Sequence, residues 1–366
     1  MKICLLEPFF GGSHRQWAED YQQHSQHDVD ILSLPARHWK WRMHGAAITL
    51  AEQYLSAGKN YDLILATDLL DFCTFLSLTR RKTAYIPTAL YFHENQLTYP
   101  WSTTDPDVAL KRDKHYSFIQ YTSALAADAV FFNSAYHKKS FLSALPTFLK
   151  QFPDYTTVAQ VNSLAAKSDV LYLGLDLSFF DAYKRTSQNQ FPVLLWNHRW
   201  EYDKQPELFF EALARLKDEH LDFRLIVLGE SYHRMPAIFK TIEKDFTDQL
   251  VHFGYVESRT QYASLLAKAD ILPVTSVQDF FGASIVEAIY AGCIPLLPRR
   301  LAYPEHIPTA LHSKYLYERE EDFYPRLKAL ITNFYEKEKE LPNHVLRYDW
   351  RTLVPVYDAA FKVISQ

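Results

Sequence analysis

Apolar runs of strand length alternate along this chain with segments whose apolar residues return at the spacing of one helix face. In the first half the strand-like runs are Lys2 to Glu7, Val29 to Leu34, Leu63 to Ala66, Thr83 to Phe92, Ala129 to Asn133 and Val170 to Leu173. A second set follows at Val193 to Trp196, Phe223 to Leu228, Val251 to Tyr255, Ile271 to Pro273 and Ile294 to Leu297, with helical segments between them such as Gln205 to His220 and Arg259 to Ala267. Strands that alternate with helices predict parallel sheets with crossover helices. Around Tyr183 to Phe191 the composition turns polar, as a linker would, and Leu353 to Ile364 has the spacing of a helix that packs back on the first domain. The pattern predicts an α/β chain of two doubly wound, Rossmann-like domains facing across a cleft: 1–185, 186–350, and a returning helix at 351–366.

Composition narrows the class. A chain of 366 residues can fill two cores, and 48% hydrophobic with 22% charged residues is the balance of a globular protein. No apolar run approaches the roughly 20 residues that span a bilayer, and the chain enters a strand at once without the layout of a signal peptide. A cytoplasmic protein with no membrane partner is expected. Cys4, Cys73 and Cys293 sit in apolar neighbourhoods without metal-ligand spacing, so no disulfide is expected. The net charge of −4 excludes a generic nucleic-acid binder, leaving only local basic clusters for that purpose. An aromatic share of 15% matters because many of these rings lie beside basic residues.

The most informative stretch is Asp279-Phe280-Phe281-Gly282-Ala283-Ser284-Ile285-Val286-Glu287. It follows a buried strand, and its Gly turn opens a helix, whose free N–H groups and partial positive charge suit phosphate. Carboxylates on either side of the turn can accept from hydroxyl-rich groups, so the pattern reads as a sugar-nucleotide site. Arg199 and Lys204, in the run from Trp196 to Pro206, follow the first strand of the second domain, where a guanidinium fork and an ammonium can hold a diphosphate. After the first strand of the chain comes Glu7-Pro8-Phe9-Phe10-Gly11-Gly12-Ser13-His14. Its paired glycines allow close backbone approach to a ligand, or simply a tight turn, and match neither a dinucleotide fingerprint nor a P-loop. Tyr91-Phe92-His93-Glu94-Asn95-Gln96 brings polar residues abruptly out of an apolar strand; His93 would face a reacting carbon or merely satisfy local hydrogen bonds. In Ala36-Arg37-His38-Trp39-Lys40-Trp41-Arg42, indoles and cations interleave in the way single-stranded RNA is held, though a packed amphipathic loop has the same composition. Basic patches at Arg80 to Lys82, Lys111 to Lys114 and His137 to Lys139 read as solvated faces that could extend a footprint. Asp28-Val29-Asp30 enters a strand and is read as structural, with no metal expected.

With these motifs in hand, the second domain resembles the retaining GT-B glycosyltransferases of family four, through Phe280-Phe281-Gly282 with Glu287 and Arg199 with Lys204. Nearly the whole chain is similar to the tRNA-queuosine mannosyltransferases, through Glu7 to His14, Leu34-Pro35-Ala36 with Trp39 to Arg42, Tyr91 to Leu97, and His198 to Glu201 with Asp203 and Lys204. The resemblance implies the GT-B architecture and transfer of mannose from GDP-mannose to queuosine in the anticodon loop of a tRNA, with no cofactor or metal. The wider family usually has Glu before the Phe-Gly turn, and Asp279 is one methylene shorter. Donor contacts are then expected from Gly11, Gly12, Arg199, Lys204, Asp279, Phe281, Gly282, Ala283, Ser284 and Glu287. Catalytic roles fall to His93, Arg199, Lys204 and Asp279, and acceptor contacts to His14, Trp39, Lys40, Trp41, Arg42, Glu94 and Asn95. A transferase for a lipid, glycan or small-molecule acceptor is the alternative among enzymes, and a non-catalytic sugar-nucleotide or RNA-binding protein the alternative of another class.

Overall fold

A computed structural model of the chain describes residues 1–102, 105–110, 114–185, 187–230, 236–335 and 340–365. The chain divides into two compact units, Met1–Leu175 with Trp350–Gln366, and Asp176–Asp349. The second begins ten residues before the boundary expected from composition. The reason is local: the 3-10 turn Leu177–Tyr183 lies against helices Arg259–Lys268 and Ala283–Tyr290, all within the second unit. The polar stretch Tyr183 to Phe191 therefore begins inside the second unit, sharing Tyr183 with that turn.

Six parallel strands form the first unit: β1 (Lys2–Phe10), β2 (Asp28–Pro35), β3 (Leu63–Thr67), β4 (Thr88–Phe92), β5 (Ala129–Phe132) and β6 (Ser168–Val170), in the order β2-β1-β3-β4-β5-β6. Every residue of β3 and β4 is buried, which is what covering both faces of a parallel sheet requires, and why these strands read as unbroken apolar runs. β4 starts five residues later than its apolar run because Thr83 closes a helix, α3 below. Three helices matter for the site: α1 (Gly12–His24), α2 (Trp39–Ala57) and α3 (Phe72–Thr83). Asp71 caps α3 by accepting from the Thr74 N–H at 2.9 Å, and Arg80, Arg81 and Lys82 occupy its last turn, where cations meet the negative end of the helix dipole. That basic patch is thus accounted for by its own helix. The helix Trp350–Ile364 packs in the same unit: the Trp350 ring occupies the space a side chain at Gly174 would need, and Tyr357 bonds Tyr91 Oη at 3.0 Å and the Tyr172 carbonyl at 2.7 Å.

The second unit is again six parallel strands, β7 (Val193–Asn197), β8 (Arg224–Leu228), β9 (Leu250–Gly254), β10 (Ile271–Pro273), β11 (Ile294–Pro298) and β12 (Leu316–Tyr317). Their order is β12-β11-β10-β7-β8-β9. β12 has only two residues, too short to leave a periodic signal, and was not expected. Among the described residues no helix is long and apolar enough to cross a membrane.

Candidate active site

Each unit gathers polar side chains where its strand order reverses. In the second unit β7 and β10 are neighbours, but the chain leaves β7 toward β8 and β10 toward β11, so the loops beyond their carboxyl ends diverge and open a crevice. Two indoles fix the loop after β7. Trp196 donates from Nε1 to the His198 carbonyl at 3.0 Å, and Trp200, stacked on Phe239 with ring centres 4.5 Å apart, donates to the Leu228 carbonyl at 3.4 Å. Between these anchors the Arg199 side chain stays 48% exposed, 3.3 Å from Glu201. Lys204 is the opposite case, with only 6% of its side chain exposed. Its Nζ donates to the Gln278 carbonyl at 2.6 Å and to Asp279 Oδ1 at 3.1 Å, with Asp203 Oδ2 also at 3.1 Å. Burial works to lower the Lys204 pKa, but Asp279 and Asp203 outweigh it and raise it, so the ammonium keeps its charge. In return, against the upward pull of burial, Lys204 helps hold the Asp279 carboxyl below its usual range. Burial pushes His198 down to about 4, which leaves its imidazole neutral at neutral pH.

The helix Ala283–Tyr290 begins at Gly282, whose φ of 91° is left-handed and whose missing Cβ avoids Ile285 Cδ1 at 3.2 Å. No side chain caps this helix, so Ala283 and Ser284 stand in a first turn suited to an anion. Glu287 lies one turn on. Its Oε2 accepts from Tyr262 Oη at 2.8 Å, and Asn197 Nδ2 donates to Tyr262 Oη and to the Ser284 carbonyl, each at 3.0 Å. Asp279 is held likewise, its Oδ2 accepting from Tyr303 Oη at 2.5 Å. Sequence reasoning missed Tyr262 and Tyr303, which lie distant in the chain and in no motif; only Asn197, at the end of a strand already singled out, was within reach. One expected donor contact needs correction: Phe281 is 3% exposed, with its ring packed on His306 and Tyr348 and its carbonyl accepting from His306 Nε2 at 2.7 Å. Its ring belongs to the core and not to a ligand.

The first unit reverses between β1 and β3. Glu7 comes from β1, Asp68 follows β3 and His93 follows β4, and all three are buried. Glu7 Oε1 accepts from the Phe9 N–H at 2.9 Å, and its Oε2 lies 3.3 Å from His14 Nδ1. Asp68 Oδ1 accepts from the His93 N–H at 2.7 Å, and Asn133 Nδ2 donates to the His93 carbonyl at 2.8 Å. Burial works to lower the His14 pKa, yet Glu7 above all, with Asp68 and Glu94, raises it to about 9. His93 is pushed well below its usual value by burial and the neighbouring His14, and burial drives the Asp68 carboxyl well above its own. Gly11 is needed because a Cβ there would lie 2.5 Å from that of Ala36, and Gly12 takes a left-handed φ of 53° as α1 begins. His14 and Asn95, expected as acceptor contacts, are buried. Asn95 Oδ1 receives the Thr98 N–H at 2.8 Å and so holds its own turn together. Glu94 is partly exposed and accepts from Gln96 Nε2 at 2.8 Å.

The indole-and-cation stretch is helical from Trp39 onward rather than a loop. Trp39 packs against Tyr116 and Trp101. Lys40 is not a free cation: Asp105 and Asp107 hold its Nζ at 2.6 and 2.5 Å, which neutralises the charge expected to meet a phosphate. Arg42 donates to the Pro35 carbonyl through Nε and Nη2 at 3.2 and 3.1 Å. Trp41 is 62% exposed and covers Gly45, where a Cβ would come within 2.5 Å of its ring. Of the other basic patches, His137 is buried and Lys138 donates to the Ser168 carbonyl, while Lys111, Arg112 and Asp113 lie outside the described residues.

Residues 2–175 match the family model described as tRNA-queuosine alpha-mannosyltransferase N-terminal, and residues 180–344 match glycosyl transferases group 1. A tRNA-queuosine alpha-mannosyltransferase of Drosophila melanogaster is 34% identical over 315 residues, which is 84% of this chain and 81% of that protein. A GDP-mannose-dependent alpha-(1-6)-phosphatidylinositol dimannoside mannosyltransferase of Mycobacterium tuberculosis is 28% identical over 143 residues, 37% of this chain and 36% of that protein. Among solved structures, sucrose-phosphate synthase from Thermosynechococcus elongatus superposes with a TM-score of 0.72 at 13% identity, covering 100% of this chain and 99% of that one. Anabaena HepE in complex with UDP gives 0.65 at 16% identity, covering 99% and 100%. At such identities these superpositions speak to fold alone.

Proposed function

Because this chain belongs to the tRNA-queuosine alpha-mannosyltransferase family and is a glycosyltransferase with the GT-B fold, we propose that it transfers mannose from GDP-mannose to queuosine in a tRNA, with retention at the anomeric carbon. The observation that carries the donor half of this reading is the second-unit crevice, where the uncapped helix at Gly282 begins beside a buried, charged Lys204. In the proposal the diphosphate lies on the first turn of that helix, and Arg199 closes on it. Arg199 is exposed enough to move and near enough to oppose the Lys204 charge. Two cations and a helix N-terminus stabilise the negative charge that grows on the leaving diphosphate, the type of interaction that contributes most where water is excluded. Glu287, oriented by Tyr262, accepts from the ribose hydroxyls. Asp279, oriented by Lys204 and Tyr303, accepts from the transferred sugar through lone pairs its present partners leave over.

The acceptor half rests on the first unit, the part matched by the family's N-terminal model. Trp41 is an exposed indole available to stack on an unpaired base, with Arg42 next to it in the chain. Incubation with labelled GDP-mannose and queuosine-bearing tRNA tests the reading, with tRNA lacking queuosine as the parallel arm. Label is expected in the first RNA only. Label in neither, or in both alike, would refute the assigned acceptor, and an RNA gel shift without label would favour a binding module.

A further inference from the structure

Resting on the donor reading above, we propose that Glu201 is a positioning residue for Arg199: it holds the guanidinium before the donor binds, and yields it to the diphosphate in exchange for a proton shared with Asp203. All three side chains belong to the short run after β7, and the backbone of that run is pinned. The Trp200 N–H donates to the Glu230 carbonyl at 3.1 Å, the Glu201 N–H to the Arg199 carbonyl at 2.9 Å, and the Val277 N–H to the Asp203 carbonyl at 2.8 Å. On so fixed a backbone it is the side chains that move. Arg199 Nη2 lies 3.3 Å from Glu201 Oε2, longer than the about 2.7–2.9 Å of a closed charge-assisted bond, and both side chains reach solvent. Such a pair opens easily. A diphosphate offers the guanidinium more charge and more acceptor oxygens than one carboxylate does, so it takes Arg199 over.

Once Arg199 has turned to the diphosphate, an ionised Glu201 stands beside Asp203 and the new negative charge without its own cation. The fold offers a remedy. Asp203 is buried, and apart from its ion pair with Lys204 at 3.1 Å neither of its carboxylate oxygens receives a hydrogen bond. Buried acceptors ordinarily find a donor. A protonated Glu201 carboxyl is that donor, since the two acids lie within hydrogen-bonding reach, and neighbouring carboxyls hold one proton between them more readily than two charges. Burial raises the Glu201 pKa and Asp203 adds to it, while Arg199 is the strongest influence holding it down. Departure of Arg199 lifts that restraint, and solvent supplies the proton. Of the other groups near this run, Lys204 keeps its charge and lowers the Glu201 pKa, Asp279 is tied to Lys204 and Tyr303, His198 is neutral above about 4, and Glu230 is exposed beyond β8. The rival role for Glu201 is a rigid brace that keeps Arg199 in one place before and after the donor binds.

Calorimetric titration of GDP-mannose into the full chain, in buffers of differing ionisation enthalpy over about pH 5–7, reads the proton directly, because the diphosphate diester does not titrate there. Wild type is expected to take up a fraction of a proton to one proton per donor bound. Its affinity should fall as pH rises, since the complex binds protons more tightly than the free chain does. Glu201→Gln keeps the shape of the side chain but cannot titrate. It is expected to bind without uptake, with a flat pH profile, and about two- to fivefold more tightly at neutral pH, the equivalent of releasing one exposed ion pair. Wild-type binding without proton uptake would overturn the handover and leave the donor site standing, as would a folded Glu201→Gln chain that takes up protons like wild type or binds the donor more weakly, as a lost brace would. If the variant does not fold, uptake by wild type decides alone. No binding of GDP-mannose by wild type would overturn the handover and the donor reading together.

Discussion

The two sheets reverse in the same way, yet their reversal points carry opposite chemistry. In the second unit the crevice is lined by cations and a helix N-terminus, and its carboxylates are each matched by Lys204 or a tyrosine. In the first unit the corresponding place is closed, with Glu7 and Asp68 buried around two histidines, the Asp68 carboxyl driven up by burial and His14 raised by Glu7. One topology supplies the position in both; the side chains at the strand ends decide its chemistry.

The contrast breaks most severely at Lys204. Lys204→Met leaves the buried Asp203 and the half-buried Asp279 without their ammonium, and a loss of about 3–5 kcal/mol is expected in urea unfolding of the second unit. Arg199→Ala touches only the exposed cation. The expected outcome is an unchanged melting temperature with transfer reduced about a hundredfold or more in steady-state rate; a normally folded, fully active variant would remove Arg199 from the site. Tyr303→Phe removes one hydrogen bond to a charged carboxylate, an interaction of about 1.5–3 kcal/mol, and should lower kcat/KM for the donor about tenfold or more. In the first unit, Trp41→Ala should weaken RNA binding by about 1–3 kcal/mol, the contribution of one stacked base, with donor affinity and stability unmoved. Unchanged RNA affinity would take Trp41 out of the acceptor surface.

A test of another kind is acid. Burial holds His198 and His306 of the second unit at about 4 in the folded chain, against 6.5 ordinarily. Between those values the unfolded chain takes up protons that the folded chain refuses, so unfolding free energy should fall as pH drops from about 6.5 toward 4 and gain no further loss from these groups below that. Replacing both with Gln should flatten the slope in that window.

Much of the fold was legible because parallel strands buried on both faces leave unbroken apolar runs, as at β3, β4 and β7. β12 was not, since two residues leave no period, and the start of the second unit was missed because the polar stretch that marked the boundary begins only at Tyr183, after a turn that already packs through Leu177 and Phe180. At the site, charge and glycine were readable where they sit in one short run, as in Asp279 to Glu287. What sequence could not show was pairing at a distance. Lys40 reads as an RNA contact until Asp105 and Asp107 close on it, and Tyr303 and Tyr262 become visible only through the carboxylates they hold. Phe281 reads as a ligand contact because the run around it does, whereas its ring turns inward.

The central claim is that an activated sugar is held by its diphosphate at the reversal point of the second sheet. Calorimetric titration of GDP-mannose into wild type and Arg199→Ala tests it most directly. The account predicts saturable binding to wild type that is markedly weakened in the variant; equal affinity in both proteins, or no affinity of wild type for any nucleoside-diphosphate hexose, would contradict it.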